Sequence, residues 1–564
     1  MLTKKTKQPR LEILLLVAIA IAVLIRVLYA GGRELWYDEV LSLLLSTGQR
    51  GNYTAPPDFP VALSDYAQLL QLPPFAGWQD ALLQIKPLLQ GIVGQEPHPP
   101  LFFLSQYVWL FIAGNGEAGL RSLNLGLSLL AIMGAFGMGR SLLGYRGGLV
   151  LAALLGLNPF FWFHSLNVRM YAPTVFWVTL SGWATLELYH SRRQLSNQQQ
   201  WLWCGVLTTA IVGGLMTFYL YALWLVALGL LAILALNPQK PPSLRLRRRG
   251  WQYGLCLLIG GLIAAPWYLW GLPQQLNNAD LDRFSSSTTL LGSLLQHATG
   301  VLEVVGTQLT VGDWAIQLPR SVLVIIGLLL LLGLGGMVKQ LVQSGHLRQA
   351  AVALVLGGLP LLLALGLDVI SGRSTLAWGY GRSVIFILPG LLLLVTTWIV
   401  QLPQRWQRAV IMICLLVYLG LDVGDMVGRS RQVFHRVARA VVNEPTLLVI
   451  NSEAWGHICR LAYYLPAAAP VDLLATPPKG LPTALNSVLT DGTAARYRRV
   501  LWLEAHESLW NQPETLAETR QIRQSVTAAL TPEYRAVEQQ ELAGTMPLDR
   551  FTLTVYERSQ TALQ

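Results

Sequence analysis

Eleven stretches of this chain are apolar over roughly the length needed to cross a lipid bilayer. They are Leu11–Ala30, Arg121–Gly139, Leu149–Ser165, Ala172–Tyr189, Trp201–Thr217, Leu220–Leu236, Gln252–Trp270, Ser321–Val338, Ala350–Leu367, Ser383–Val400 and Arg408–Leu421. In hydrocarbon every backbone N–H and C=O must be satisfied within the protein, which commits such runs to helix. The expected fold class is an α-helical polytopic membrane protein with about 11 transmembrane helices. Composition agrees: 53% of residues are hydrophobic and 13% charged, where a soluble chain carries about 25% charged residues. The net charge of +11 is distributed in short Lys/Arg clusters between the apolar runs. That is a topogenic pattern and argues against a nucleic-acid partner. Cys204, Cys256 and Cys414 lie in apolar runs and only Cys459 outside them, so neither a disulfide framework nor metal-type cysteine spacing is present.

Charge also sets the expected path through the bilayer. Lys4, Lys5, Lys7 and Arg10 precede the first run; its full spanning length favours an uncleaved anchor over a signal peptide. A twelfth run, Leu101–Ala113, is short and opens at His98-Pro99-Pro100. If it crossed, the basic loops Arg140–Arg146, Arg192-Arg193 and Lys240 to Arg249 would all fall outside. Laid along the interface, it returns each of them to the cytoplasmic side. The expectation is a multi-pass plasma-membrane protein with a cytoplasmic N-terminus. Residues 1–428 form its membrane domain, including a first external loop at 31–120 with membrane-parallel helices between Asp65 and Val93. Residues 429–564 form a small extracytoplasmic α/β domain. In that tail Thr446–Asn451, Val471–Leu474, Val500–Leu503 and Phe551–Tyr556 read as strands. Glu453–Leu465 and Glu514–Leu530 read as helices.

Few residues are placed to do chemistry. Trp36-Tyr37-Asp38-Glu39 follows the first span directly. Two readings fit: a catalytic carboxylate with a neighbour that orients it or binds metal, or a solvated acidic turn. His98 is either a phosphate or metal contact or the punctuation of a helix start. Arg169, in Asn167-Val168-Arg169-Met170-Tyr171, is either an anion contact or a snorkelling interfacial cation. Arg373 and Arg382 lie in an external loop, against the topology rule, and suit an anionic headgroup or an ordinary membrane anchor. Asp280, Asp282 and Arg283 read as solvated loop charges.

These motifs, in this order, resemble the GT-C superfamily of membrane glycosyltransferases. The likeness is closer to its family-39-like group, which includes protein mannosyltransferases and the aminoarabinose transferase of lipid A. Trp36 to Glu39 is similar to that group's acidic motif, His98-Pro99-Pro100-Leu101-Phe102-Phe103 to the start of its second membrane-parallel helix, and Arg169-Met170-Tyr171-Ala172 to its motif at a later span start. Arg382 with Phe386, Leu388 and Pro389 resembles a late Arg-containing span start. The resemblance implies transfer of a sugar from a polyprenyl-phosphate donor to an extracytoplasmic lipid, glycan or protein acceptor, with inversion. Asp38, with Glu39, is then catalytic, and Asp38 is the base. His98, Arg169 and Arg382 bind the donor phosphate, and Tyr37, Tyr171 and Arg373 contact substrate. A divalent cation (Mg or Mn) on Asp38, Glu39 and His98 is the expected cofactor if there is one. Two departures bear on this: Asn167 stands where an acid often precedes the Arg, and Phe218 where a His is often found. The competing readings are a flippase or transporter of lipid-linked sugars and a catalytically silent envelope scaffold. The transporter reading expects ionisable groups inside the spans and paired repeats, whereas these spans look poor in buried charge.

Overall fold

The computed structural model describes residues 9–75, 77–189, 195–234, 244–278, 284–286, 289–429, 431–507, 513, 515–544 and 546–559. Lys4, Lys5, Lys7, Arg192, Arg193, Lys240, Asp280, Asp282 and Arg283 lie outside them. The chain forms two compact units. One comprises Met1–Ala30, Ile92–Ser105 and Arg121–Met426; the other comprises Gly31–Gly91, Gln106–Leu120 and Val427–Gln564. The second unit therefore joins most of the first loop to the tail.

The first unit holds most of the apolar helices. Among the described residues seven helices are long and apolar enough to cross a membrane, or eight if the bent pair Tyr145–Leu157 and Pro159–Ser165 counts as one span. The expected runs 172–189, 201–217 and 220–236 are not among them. The Tyr171–Tyr189 and Asn197–Leu215 helices are diluted by Thr, Ser, Gly, Gln and aromatic residues. Tyr221–Leu234 falls short of spanning length within the described residues. The 63° bend of the pair falls at Asn158-Pro159. There the Asn158 side chain caps the second helix by accepting from the Phe161 N–H at 2.9 Å, and Pro159 takes the first helical position. Close crossings rest on glycine. A Cβ on Gly390 would lie 2.4 Å from the Leu356 backbone, so Leu347–Ser371 and Leu388–Gln401 touch backbone to backbone.

The spans are not poor in buried charge. Arg26 is 0% exposed and donates to Ser165 Oγ at 3.1 Å, the Ala22 carbonyl at 2.9 Å and the Gly156 carbonyl at 2.6 Å. Asp422, 1% exposed on Gln404–Gly428, lies within electrostatic reach of it. Arg26 was hidden as one charge in a run that remains apolar on average, and Asp422 because its helix continues to Gly428, past the expected end at Leu421.

The second unit is built on a six-stranded sheet in the order β1-β3-β2-β4-β6-β5. The strands are β1 (Val61–Ala62), β2 (Thr446–Ile450), β3 (Val471–Ala475), β4 (Arg499–Ala505), β5 (Tyr534–Ala543) and β6 (Arg550–Arg558). β3, β2 and β4 are parallel and the rest antiparallel. Every residue of β2 is buried, as expected of a parallel strand covered on both faces. The helices Leu481–Thr490 and Leu516–Leu530 close one core with Val449, Val500, Trp502 and Tyr556. The expected strands at β2, β3, β4 and β6 form, as do helices at Trp455–Tyr464 and Leu516–Leu530. β5 is an edge strand with mostly exposed, helix-favouring Glu, Gln and Ala, which is why its sequence gave no strand signal.

Candidate functional site

The first unit brings three charged groups together where the chain leaves the Ile85–Gln95 helix. Glu96 and Arg169 are 7% and 6% exposed. Arg169 donates through both terminal nitrogens, Nη1 to Oε2 and Nη2 to Oε1, each at 3.1 Å. This is the bidentate fork that a planar guanidinium forms best. The His98 ring meets the same carboxylate through Nδ1. Burial pushes the Glu96 carboxyl up, but Arg169 and His98 beside it overcome that and hold it at about 2.

The backbone that carries Glu96 and His98 is strapped from the Leu244–Asn278 helix. Gln275 Nε2 donates to the carbonyls of Glu96 and, at 2.9 Å, of His98. Asn278 Nδ2 donates to the Val93 carbonyl at 2.9 Å. Tyr219 donates to Gln275 Oε1 and itself accepts from Trp267 Nε1 at 2.8 Å. The face of His98 stacks on Phe218, with ring centroids 5.6 Å apart. Phe218 in turn touches Phe386, four residues beyond Arg382.

Arg382 comes from a strained turn. Gly379, Tyr380 and Gly381 take φ of +57°, +58° and +84° in succession, a conformation disfavoured for Tyr380. The turn folds the Arg382 guanidinium over the Trp378 ring, 4.3 Å from its centroid, and Gln308 Nε2 holds the Gly381 carbonyl at 2.9 Å. Arg373 is half-buried in the preceding loop. Its N–H donates to the Asp368 carbonyl at 3.0 Å, and its own carbonyl meets His297 Nε2 at 2.9 Å. Tyr171 is buried edge-on against His164.

Tyr37, Asp38 and Glu39 belong to the second unit, on the first turn of the Tyr37–Ser46 helix. Acids there are favoured by the helix dipole. Glu39 is 0% exposed, and its Oε2 accepts from the Trp36 N–H at 2.7 Å, as a capping acid does. Asp38 is half-buried beside it. Tyr37 packs edge-on against His457, with the Arg460 guanidinium 5.5 Å from its ring centroid; burial pushes its phenol up. Arg460 is itself held by Asp549 at 2.6 Å.

The sequence matches no protein-family model and no curated protein. A solved structure of ArnT from Cupriavidus metallidurans bound to undecaprenyl phosphate aligns over 96% of this chain and 97% of that one, at 13% identity and a TM-score of 0.50. The chain shares the fold of that structure. A structure of the Archaeoglobus fulgidus oligosaccharyltransferase with Zn and sulfate aligns over 86% of this chain and 67% of that one, at 12% identity and a TM-score of 0.44.

Within this fold, His98 and Arg169 meet on a residue that sequence reasoning passed over. The signal was available: Glu96-Pro97-His98-Pro99-Pro100 places an acid two residues before the histidine, in a turn fixed by prolines. Asn167, where an acid was expected, directs its side chain at His164 instead, and Arg169 takes its carboxylate from Glu96. Gln275 and Tyr219 had no sequence signal, since their role depends on tertiary contacts alone. Among the described residues no three His, Cys, Asp or Glu side chains gather as a metal-holding group. Glu39 is engaged by the backbone of its own turn and His98 by Glu96.

Proposed function

We propose that this chain is a glycosyltransferase that moves a sugar from a polyprenyl-phosphate donor to an extracytoplasmic acceptor. One observation carries the reading: a GT-C fold that holds an arginine and a histidine on one buried carboxylate, where a departing lipid phosphate needs cations. The undecaprenyl phosphate bound by ArnT is the corresponding ligand chemistry. In the reaction the bond from the anomeric carbon to the phosphate oxygen breaks and the phosphate leaves with the electron pair. The acceptor oxygen bonds to that carbon from the opposite face, and its proton passes to the Asp38 carboxylate. Arg382, His98 and the Glu96-held Arg169 stabilise the leaving anion. Glu39 fixes the turn that carries Asp38, and Tyr37, Tyr171 and Arg373 shape the substrate's surroundings. The N-terminus is cytoplasmic, and the tail, with the first loop, selects the acceptor outside.

Lipid and glycan analysis of cells lacking the chain, beside cells carrying Asp38→Asn, tests this. Loss of a general base costs about 10²- to 10⁴-fold, so both should lose the same glycan while Asp38→Asn still inserts in the membrane. Retained transfer in Asp38→Asn would remove the base from the mechanism. The buried Arg26 and Asp422 favour one second reading, a transporter of lipid-linked sugars. Movement of a labelled polyprenyl-phosphate sugar across liposomes without turnover would select it.

A further inference from the structure

Three of the four cysteines lie in apolar runs, and the fold brings two of them together. Cys204 sits on the Asn197–Leu215 helix and Cys256 on Leu244–Asn278, both in the first unit. Each is a free thiol and 4% exposed. The Cys256 thiol donates to the Cys204 carbonyl at 3.5 Å and lies within hydrogen-bond reach of the Cys204 thiol. The Thr208 hydroxyl, one turn on, reaches it too. The register of the two helices is fixed beyond the pair. A Cβ on Gly260 would lie 2.5 Å from Ile211 Cγ2, so glycine is what lets the helices approach there, and the Tyr268 hydroxyl donates to the Leu215 carbonyl at 3.1 Å. A disulfide forms only where two Cβ atoms already face each other across a short gap. Two thiols in contact on closely crossed helices meet that condition. Leu202, Leu255 and Leu258 beside the pair are exposed, so in a bilayer acyl chains lie against this corner.

We propose that Cys204 and Cys256 form a redox site, which a hydroperoxide small or apolar enough to enter the bilayer closes to a disulfide. One sulfur attacks a peroxide oxygen: an S–O bond forms, the O–O bond breaks, and the thiol proton leaves with the departing oxygen as water or alcohol. The second sulfur then attacks the sulfenic sulfur: the S–S bond forms, the S–O bond breaks, and hydroxide leaves as water with the second thiol proton. The two thiols lose two electrons and the hydroperoxide gains them. Burial slows the reaction of a lone thiol. Here the second step is intramolecular and its nucleophile is already in contact, so a sulfenic acid is trapped as it forms. The cross-link ties the helix that carries the Gln275 strap to its neighbour and closes a loop of chain that includes the Tyr221–Leu234 helix. It is a covalent brace on that helix, and it holds whatever reaction the chain catalyses.

The test treats the purified full chain in detergent with hydrogen peroxide and, in parallel, with cumene hydroperoxide. Remaining thiols are then alkylated after unfolding, and non-reducing digests are mapped by mass spectrometry. The expected product of either oxidant is a peptide pair joined through Cys204 and Cys256, lighter by two hydrogens than the separate peptides and parted by a phosphine reductant. Thermal unfolding of the oxidised chain should shift upward and return after reduction. Cys256→Ser should show neither the linked pair nor the shift. Both thiols still open to alkylation after treatment with each oxidant, or a sulfinic acid on either with no link, overturns the proposal. A link that leaves the unfolding midpoint unmoved removes the brace. The wild-type map decides the disulfide by itself even where Cys256→Ser does not fold.

Discussion

Replacing Arg169 by leucine would strand a buried carboxylate. In the native chain Glu96 titrates at about 2 instead of 4.5 although burial alone would raise it. At roughly 1.4 kcal/mol per pKa unit, its surroundings favour the carboxylate over the acid by roughly 3 kcal/mol. Arg169 is the largest contributor after burial, ahead of His98. Breaking one side of a buried ion pair costs about 3–5 kcal/mol, so Arg169→Leu should destabilise by about that much. Glu96→Gln should also destabilise, by stranding the guanidinium. The double variant removes both charges and should lie well above the sum of the singles, with a coupling of about 2–3 kcal/mol. Unfolding titrated with sodium dodecyl sulfate in mixed micelles measures all four proteins. If the two substitutions add to within about 0.5 kcal/mol, the fork contributes nothing and the reasoning from burial fails.

Other outcomes follow from the same structure. Glu96, with its depressed pKa, stabilises the fold above pH 4.5 and loses that contribution as pH falls toward 2; melting temperatures of Glu96→Gln should be flatter than wild type over that range. His457 is buried neutral by desolvation, with Arg460 opposing its charge, and titrates at about 3 instead of 6.5. An unfolded chain takes up that proton first, so stability should fall as pH drops below 6.5, and His457→Gln should remove the slope between pH 6.5 and 4.5, where Glu96 does not yet act. Gly379→Ala should lower the melting temperature and weaken undecaprenyl phosphate binding: a left-handed alanine costs about 1–2 kcal/mol, and its Cβ would meet Arg382 Nε at 2.3 Å. Arg26→Leu should destabilise the membrane unit, and Asp422→Asn added to it should restore part of the loss, read by the same detergent titration.

Membrane helices, the β2, β3, β4 and β6 strands and the residues His98 and Arg169 were legible because each leaves a local mark: a long apolar run, a β-branched pattern, a proline bracket, a charge out of place. Counting crossings was harder. The Tyr171–Tyr189 and Asn197–Leu215 helices are long enough, but Thr, Ser, Gly and Gln are spread around them and lower their average hydropathy. The charge reading nevertheless has a geometric parallel. β1 of the first loop pairs with β3 of the tail, so both lie on one side of any membrane, and the crossings between them are even in number. Glu96 escaped because its meaning lies in Arg169, 73 residues away. Gln275 escaped for the same reason, since its carboxamide serves backbone carbonyls 177 and 179 residues earlier.

The antiparallel pairing of Val61 with Leu473 sets a timetable for biosynthesis. Its two halves are roughly 400 residues apart, and at about 5–20 residues per second the ribosome needs on the order of 20 to 80 s to deliver the second after the first. Throughout that interval the early loop has no sheet to join, while the translocon threads the intervening helices. A nascent chain stalled before Val471 should therefore expose Gly31–Gly91 to proteases and chaperones, and be protected there only once the tail has emerged.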